Sequence, residues 1–351
     1  MTNILSRLEA FPRARLAHLP TPLEHLPNLS AVAGDIRVFV KRDDCTGLAL
    51  GGNKARQLEF YLGAAQQAGA DTVLITGAIQ SNYVRMTAAA ARRLGMDCHI
   101  QLEERVPNVD AIYRRSGNVL LNQILGATFH WYAEGEDEVG ADRQLEAIAS
   151  ELTHRGEHPY IIYLGAQHPP RGALGYIDAA AEFLQQLSAQ DLSIDEVVIP
   201  SGSSHTHTGF LFGLRALGSP IRVTGICVRR NASLQRSRVL DCAAKLAELM
   251  GVDNPVAEED VYIDDGALAP GYGRTNPAVL DAIAKAAQTE GILLDPVYSG
   301  KTMAGLLQLA ERGYFRPGAR VLFVHTGGVP ALFAYETAFS AHAQAAHPNS
   351  Q

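Results

Sequence analysis

A chain of 351 residues, 47% apolar and 19% charged, carries enough apolar side chains for a sizeable core and is not a disordered polypeptide; at about 150 residues per domain it has room for two domains. Its formal charge of −7 supplies no global positive field for nucleic acid or an anionic membrane, although backbone N–H groups can still hold a phosphate locally. With no apolar leader region, no run of about 18 apolar residues, and four scattered cysteines (Cys45, Cys98, Cys227 and Cys242) lacking C-x-x-C spacing, the expected setting is a reducing cytoplasm.

In chain order, apolar strand runs alternate with helical stretches rich in Ala, Leu, Glu and Gln. Strands are predicted at Ile36–Lys41, after Gly34-Asp35, and at Thr72–Thr76, which ends at Gly77. A helix over Asn82–Leu94 closes at Gly95. Strands follow at Cys98–Leu102 and Ala127–Trp131, then a helix at Ala141–Leu152 and a strand at Tyr160–Leu164. Helix Leu174–Leu187 leads to strands Glu196–Ile199 and Ile221–Cys227, and helices Leu234–Met250 and Pro277–Thr289 precede strand Val321–His325. Asn276 is a capping residue for the last of these helices, Pro277 suits its first position, and Gly291 follows its end. The final residues, AHPNSQ, read as a frayed tail. This alternation predicts an α/β fold of parallel sheets flanked by helices, and in such sheets ligands sit beyond the carboxyl ends of the strands.

Four segments at those ends carry chemistry. In KRDDCTGLALGGNKARQLEF (Lys41–Phe60), paired glycines permit close backbone approach, and Lys54 opens a helix. The positive potential there favours the free amine that Schiff-base formation needs, although a solvated lysine on a Gly-rich turn reads equally well from GGNK alone. Gln80-Ser81-Asn82 lies where strand becomes helix; Ser81 alone is an ordinary cap, but three consecutive hydrogen-bonding side chains point to a polar ligand. In VVIPSGSSHTHTG, the backbone of Gly202 to Thr206 and the hydroxyls of Ser203, Ser204 and Thr206 form an anion cradle that is neither a Walker loop nor G-x-G-x-x-G. His205 and His207 also read as an H-x-H metal pair, without a second cluster to complete it. Last come PGYG with Tyr272, DPVYSGK with Tyr298 and Ser299, and HTGG with Thr326, each structural if taken singly.

Together these segments resemble the fold-type II pyridoxal-phosphate family of D-cysteine desulfhydrase, 1-aminocyclopropane-1-carboxylate deaminase and L-cysteate sulfo-lyase, from HLPTPLE (His18–Glu24) to HTGG (His325–Gly328). The resemblance implies a two-domain, tryptophan synthase β-like fold. A small domain would span 55–167, a large one 1–54 plus 168–351, and the site would lie in the cleft between them. It also implies a homodimer, a small amino-acid substrate, and pyridoxal 5′-phosphate joined to Lys54. By the same resemblance Lys54, Ser81, Tyr272 and Tyr298 are catalytic. The cofactor is held by Lys54, Asn82, Gly202, Ser203, Ser204, His205, Thr206 and Thr326, with Asn82 on the ring hydroxyl and Thr326 facing the pyridine nitrogen. Gln80, Ser81, Asn82, Tyr83 and Ser299 line the substrate side, and no metal is involved.

The deaminases carry Glu after the second tyrosine and Leu in place of the late threonine; Ser299 and Thr326 match the desulfhydrases. A carboxylate beside the ring nitrogen makes a stronger electron sink, and β-elimination needs less of one than opening a cyclopropane. D-Cysteine desulfhydration to pyruvate, ammonia and hydrogen sulfide is therefore the expected reaction, with L-cysteate sulfo-lyase and ring-opening deaminase as alternatives. Ser81-Asn82-Tyr83, SGSSHTHTG and Gly165–Arg171 depart from the desulfhydrase patterns SNH, SGSGGTHAG and GGSN. Arg171 or His205 is thus a candidate for meeting an extra anionic group, which would favour cysteate. A metal-dependent hydrolase using His205 and His207, or a non-catalytic regulatory protein, are the readings from other classes.

Overall fold

Strands buried on both faces must be apolar at every position, whereas those with one wet face alternate. The runs at Thr72–Ala78 and Glu196–Ser201 are buried at every position, and the computed structural model, which describes residues 4–346, sets them inside two helix-flanked sheets. The tail beyond Ala346 lies outside the described residues.

The chain begins with helix α1 (Ile4–Glu9), strand β1 (Leu23–His25), α2 (Pro27–Val32) and β2 (Arg37–Arg42). It continues through α3 (Lys54–Gln67), β3 (Thr72–Ala78), α4 (Asn82–Arg93) and β4 (Asp97–Glu103). Then come α5 (Asn118–Ile124), β5 (Thr128–Tyr132), α6 (Glu138–His154) and β6 (Pro159–Ile162). The next elements are α7 (Leu174–Ala189), β7 (Glu196–Ser201), α8 (His205–Ala216), β8 (Arg222–Cys227) and α9 (Ala232–Met250). Last are β9 (Tyr262–Asp264), α10 (Pro277–Glu290), α11 (Ser299–Glu311), β10 (Arg320–His325) and α12 (Glu336–Ala346).

One sheet has the order β5-β4-β3-β6 and is parallel throughout. The other has the order β1-β2-β10-β7-β8-β9. It is parallel from β2 to β9, but β1 runs antiparallel beside β2, pairing Leu23 with Lys41. Neither β1 nor β9 was expected, because three residues are too few to show a strand period. In the six-stranded sheet, Val197, Ile199, Leu322 and Val324 pack with Phe183, Phe210 and Leu246 on one face. Val198, Val321 and Phe323 pack with Ile283, Leu306 and Leu309 on the other. In the four-stranded sheet, Val73 and Ile75 meet Leu58 and Val84, while Leu74 meets Leu145 and Leu152 of α6.

Helix starts follow the expected chemistry. Ser81 Oγ accepts from the Val84 N–H at 3.2 Å, Asn231 Oδ1 from Leu234 at 3.0 Å, and Asn276 Oδ1 from Val279 at 2.9 Å, with Pro277 in the first turn and Gly291 left-handed at the end. Each cap contributes about 1 kcal/mol. A buried polar cluster fixes the start of α3. Arg56 reaches Asp43 at 3.0 Å and Glu182 at 2.8 Å, Lys41 reaches Glu182 at 2.5 Å, and the Tyr176 hydroxyl donates to Asp43 at 2.5 Å. Two cations face two carboxylates, so the cluster is neutral overall and ties β2, α3 and α7 together.

Candidate active site

The β2–α3 connection is shaped by backbone conformation. Ala49, Leu50, Gly51 and Gly52 are four consecutive residues at positive φ, a conformation that non-glycine residues adopt at a cost. A side chain at Gly51 would put Cβ 1.8 Å from the Asp44 carbonyl, and one at Gly52 would crowd Met86 and the Thr326 carbonyl at 3.2 Å. The Asn53 N–H donates to the Thr326 carbonyl at 3.0 Å, so the turn docks on the end of β10. Lys54 is then the first residue of α3, half-buried at the base of a cleft, with Nζ 5.0 Å from the Tyr83 ring centroid. Desolvation by burial lowers its amine to about 8.

At the β3–α4 junction, Ser81 and Asn82 line the cleft. The Asn82 Oδ1 accepts from Arg85 Nη1 and Asn118 Nδ2, both at 3.0 Å, which turns the amide's donor end to the cleft. Tyr83 lies beneath Lys54 and buries a hydroxyl with no hydrogen-bond partner; burial pushes its pKa up. Gln80 corrects an expectation. Its amide nitrogen donates to the carbonyls of Tyr113 (2.6 Å) and Ser116 (2.9 Å), and its oxygen accepts from the Asn118 N–H at 2.9 Å. It is fully used in holding the 113–118 segment and is not among the residues lining the cleft.

After β7, Gly202, Ser203, Ser204 and Thr206 line the cleft, with Ser204 left-handed (φ 78°) at the start of α8. Thr206 Oγ1 accepts from Asn53 Nδ2 and Gln57 Nε2, each at 2.8 Å, leaving its own proton to donate. Backbone N–H groups at the first turn of α8 complete an anion cradle. The His205 ring turns away from the cleft: its Nδ1 is buried, has no partner, and lies towards Gly172, and burial lowers its pKa to about 3. His207 faces Ser201, with Nδ1 3.0 Å from Oγ, and burial lowers it to about 4. The two rings do not converge, and no group of three or more His, Cys, Asp or Glu among the described residues could hold a metal.

Tyr272 and Tyr298 meet across the cleft, hydroxyl to hydroxyl at 2.7 Å, and burial raises the Tyr298 pKa far above its ordinary value. Thr326 lines the cleft, but Ser299 does not. The Ser299 hydroxyl donates to Asp295 at 2.7 Å, and Asp295 also accepts from the N–H groups of Val297, Tyr298 and Ser299. Ser299 therefore builds the turn before α11 and does not meet a ligand. Arg171 is likewise outside the lining and interacts with Tyr160.

Other lining residues gave no sequence signal. Arg105 grips Glu103 through two bonds of 2.7 and 2.8 Å, and Thr76 donates to the same carboxylate at 2.7 Å. Glu138 of α6 accepts from Arg229, Arg230 and Arg238 at 2.8–3.3 Å, joining α6 to the β8–α9 region across the mouth.

These residues fit pyridoxal phosphate. An amine lowered to about 8, an amide donor, a hydroxyl at Thr326 and an anion cradle line one cleft, and beside it Gly52, Gly327 and Gly328 let the Lys54 turn, the late loop and Asp295 pack closer than a Cβ would permit. A D-cysteine desulfhydrase of Salmonella choleraesuis (strain SC-B67) is 40% identical over 331 residues, 94% of this chain and 98% of that protein. The crystal structure of an ACC deaminase homologue superposes with a TM-score of 0.83 at 36% identity, covering 97% of this chain and 99% of the other. A fungal L-serine ammonia-lyase from Rhizomucor miehei shares the fold, with a TM-score of 0.65 at 19% identity over 93% of this chain and 98% of its own. Residues 14–327 match the family described as pyridoxal-phosphate dependent enzyme, and the chain belongs to that family.

Proposed function

We propose that this chain is a carbon–sulfur lyase that removes the β-sulfur of D-cysteine, giving pyruvate, ammonia and hydrogen sulfide. The observation that carries the reading is the pairing of the Lys54 amine, which burial makes easier to deprotonate, with a hydroxyl, Thr326, on the late loop of the same cleft. The buried carboxylate nearby, Asp295, has both oxygens occupied by backbone and Ser299 donors and is not part of the lining. The wide match to D-cysteine desulfhydrases supports the same reading.

Pyridoxal phosphate, when bound, supplies an electron sink for negative charge at the substrate Cα. Lys54 would hold the aldehyde, and its amine, lowered to about 8 by burial, would be the base for the Cα proton. The α8 cradle and Thr206 would hold the phosphate, and Asn82 Nδ2, whose oxygen is already taken by Arg85 and Asn118, would donate to the ring oxygen. Ser81, which lines the cleft at the start of α4, would meet the substrate carboxylate. The Tyr272–Tyr298 pair keeps a proton at the hydroxyl for the departing sulfur; burial keeps Tyr298 in its protonated form.

The test is a product screen with D- and L-cysteine, L-cysteate, β-chloro-alanine, D-serine and the aminocyclopropane acid. Sulfide and pyruvate from D-cysteine, at the highest kcat/KM of the set, is the expected result. L-Cysteate is the second reading, because Arg229 and Arg238 line the cleft and three arginines share Glu138. Sulfite from L-cysteate with no product from D-cysteine would replace the first reading by the second. Release of 2-oxobutyrate alone would replace both by ring opening.

We also propose that the two sheets mark the two domains, 55–167 and 1–54 plus 168–351, with the cleft between them. The protein would work as a cytoplasmic homodimer. No helix among the described residues is long and apolar enough to cross a membrane. Exposed Leu50, Leu293 and Phe333 support the dimer. They sit on segments that converge through the Gly52–Thr326 contact, the His325–Leu293 bond and the turn after Gly328. Leu50→Asp should halve the mass measured by light scattering, and an unchanged mass for Leu50→Asp and Phe333→Asp would remove this surface from the dimer.

A further inference from the structure

A guanidinium cannot shed its proton at any ordinary pH, so one that is buried needs a negative partner. Arg85 is fully buried, and none of the ion pairs among the described residues includes it. Nη1 donates to Asn82 Oδ1 at 3.0 Å and to Asn118 Oδ1 at 2.8 Å, and Nη2 donates to the Gly51 carbonyl at 2.9 Å. All three acceptors are neutral, and Nε has no partner. Other buried cations differ: Arg56 has Asp43 and Glu182, and Arg105 has Glu103. Lys301 is also held only by carbonyls, those of Leu268 and Gly271, but an amine can lose its proton and a guanidinium cannot.

We propose that Arg85 is a positioning residue whose charge is met, one hydrogen bond away, by the ring oxyanion of bound pyridoxal phosphate. It clamps Asn82 Oδ1, so that Asn82 Nδ2 is the donor presented to that oxyanion. The same guanidinium holds the Gly51 carbonyl, three residues before Lys54. One cation thus registers the Lys54 turn against the amide that reads the ring. The inference rests on the cofactor reading of the cleft. Lys54, Tyr83, Asp295 and Tyr298 are the other ionisable groups around this wall. Asp295 acts on Arg85 only at longer range, with its oxygens already bonded elsewhere.

The chemical consequence concerns one proton, shared between Lys54 Nζ and the ring oxygen in the lysine-bound cofactor. Arg85 favours the proton on nitrogen and the charge on oxygen, which gives the long-wavelength yellow band. Removing the cation sends the proton to oxygen and raises the short-wavelength band. Arg85→Gln should shift the ratio of the two bands roughly tenfold, the fold-change of a lost hydrogen bond to a charged group. Arg85→Lys, which keeps the charge, should restore part of it. An Arg85→Gln protein that binds cofactor with the native band ratio would overturn the proposal.

A second measurement uses the native chain, so that misfolding of a variant decides nothing. Apoenzyme should bind 3-deoxypyridoxal phosphate, which lacks the ring oxygen, roughly tenfold or more weakly than pyridoxal phosphate. Equal affinity would refute the role of Arg85 while leaving the cofactor site intact. Failure to bind either compound would refute the site and the inference together.

Discussion

Arg56 and Arg85 are both fully buried, on α3 and α4, and their surroundings are opposite. Around Arg56, Asp43 and Glu182 balance two cations, and the Thr21 and Tyr176 hydroxyls each donate to Asp43. Around Arg85 stand two amides and a carbonyl. The first region is electrically complete without a ligand and serves the fold. The second has no carboxylate in contact, only Asp295 at longer range, and by the inference above it is completed by an anion in the cleft beside it. Whether a buried charge belongs to stability or to function can be read from whether its neighbours already cancel it.

The largest effect expected is on the ligand side. Lys54→Ala should lose the yellow band and at least about 10²–10⁴-fold in kcat, the range of a lost proton-transfer group, while the melting temperature stays near native. Retained turnover would break the division between the two regions. On the other side, Arg56→Met leaves two buried carboxylates facing Lys41 alone. It should destabilise by about 3–5 kcal/mol in urea unfolding and leave the yellow band of the surviving folded fraction unchanged.

The same cluster carries a pH signature. Burial works against charge on Asp43 and Glu182, but Arg56 and Lys41 outweigh it and hold both below the ordinary carboxylate range. A depressed folded-state value means that this stabilisation is complete above the unfolded value of about 4 and is lost as pH falls through the folded one. Acid unfolding should therefore begin below about pH 4, and Asp43→Asn should flatten that limb.

Smaller effects sharpen the picture of the cleft. Tyr298→Phe should lower kcat by roughly 10²-fold, as expected for loss of a positioned acid, with little change in cofactor affinity. The rate at which apoenzyme captures pyridoxal phosphate should rise from pH 6.5 and level off above about 8, as the Lys54 amine loses its proton. A flat profile would mean that capture is limited by something other than that amine.

Much of this was legible because the relevant residues are contiguous. Ser81-Asn82, the 202–206 loop and Thr326 directly follow β3, β7 and β10, and strand ends are where parallel sheets present ligands; Lys54 comes after the turn that leaves β2, and Tyr298 lies between α10 and α11. What stayed hidden depends on distance along the chain. Arg85 meets Asn118 from 33 residues away, and Glu138 meets Arg238 from 100. Glu103 and Arg105 belong to none of the four segments, and only the end of β4 places them at the cleft. Gln80 and Ser299 misled in the other direction. They sit inside informative motifs, but their polar atoms are used up by Tyr113, Ser116 and Asn118 in one case and by Asp295 in the other. A motif tells which loop matters; only geometry tells which of its atoms are free.

The six-stranded sheet ends on both sides in strands of three residues, β1 and β9. An open rim is a template on which a foreign polypeptide can add itself, and the danger grows with the length of flat backbone on offer. Three residues give such an intruder only a few hydrogen bonds before the chain turns away. The broad apolar interior strands are thereby fenced off from intermolecular zippering, which should keep concentrated solutions of the folded protein clear of fibrils.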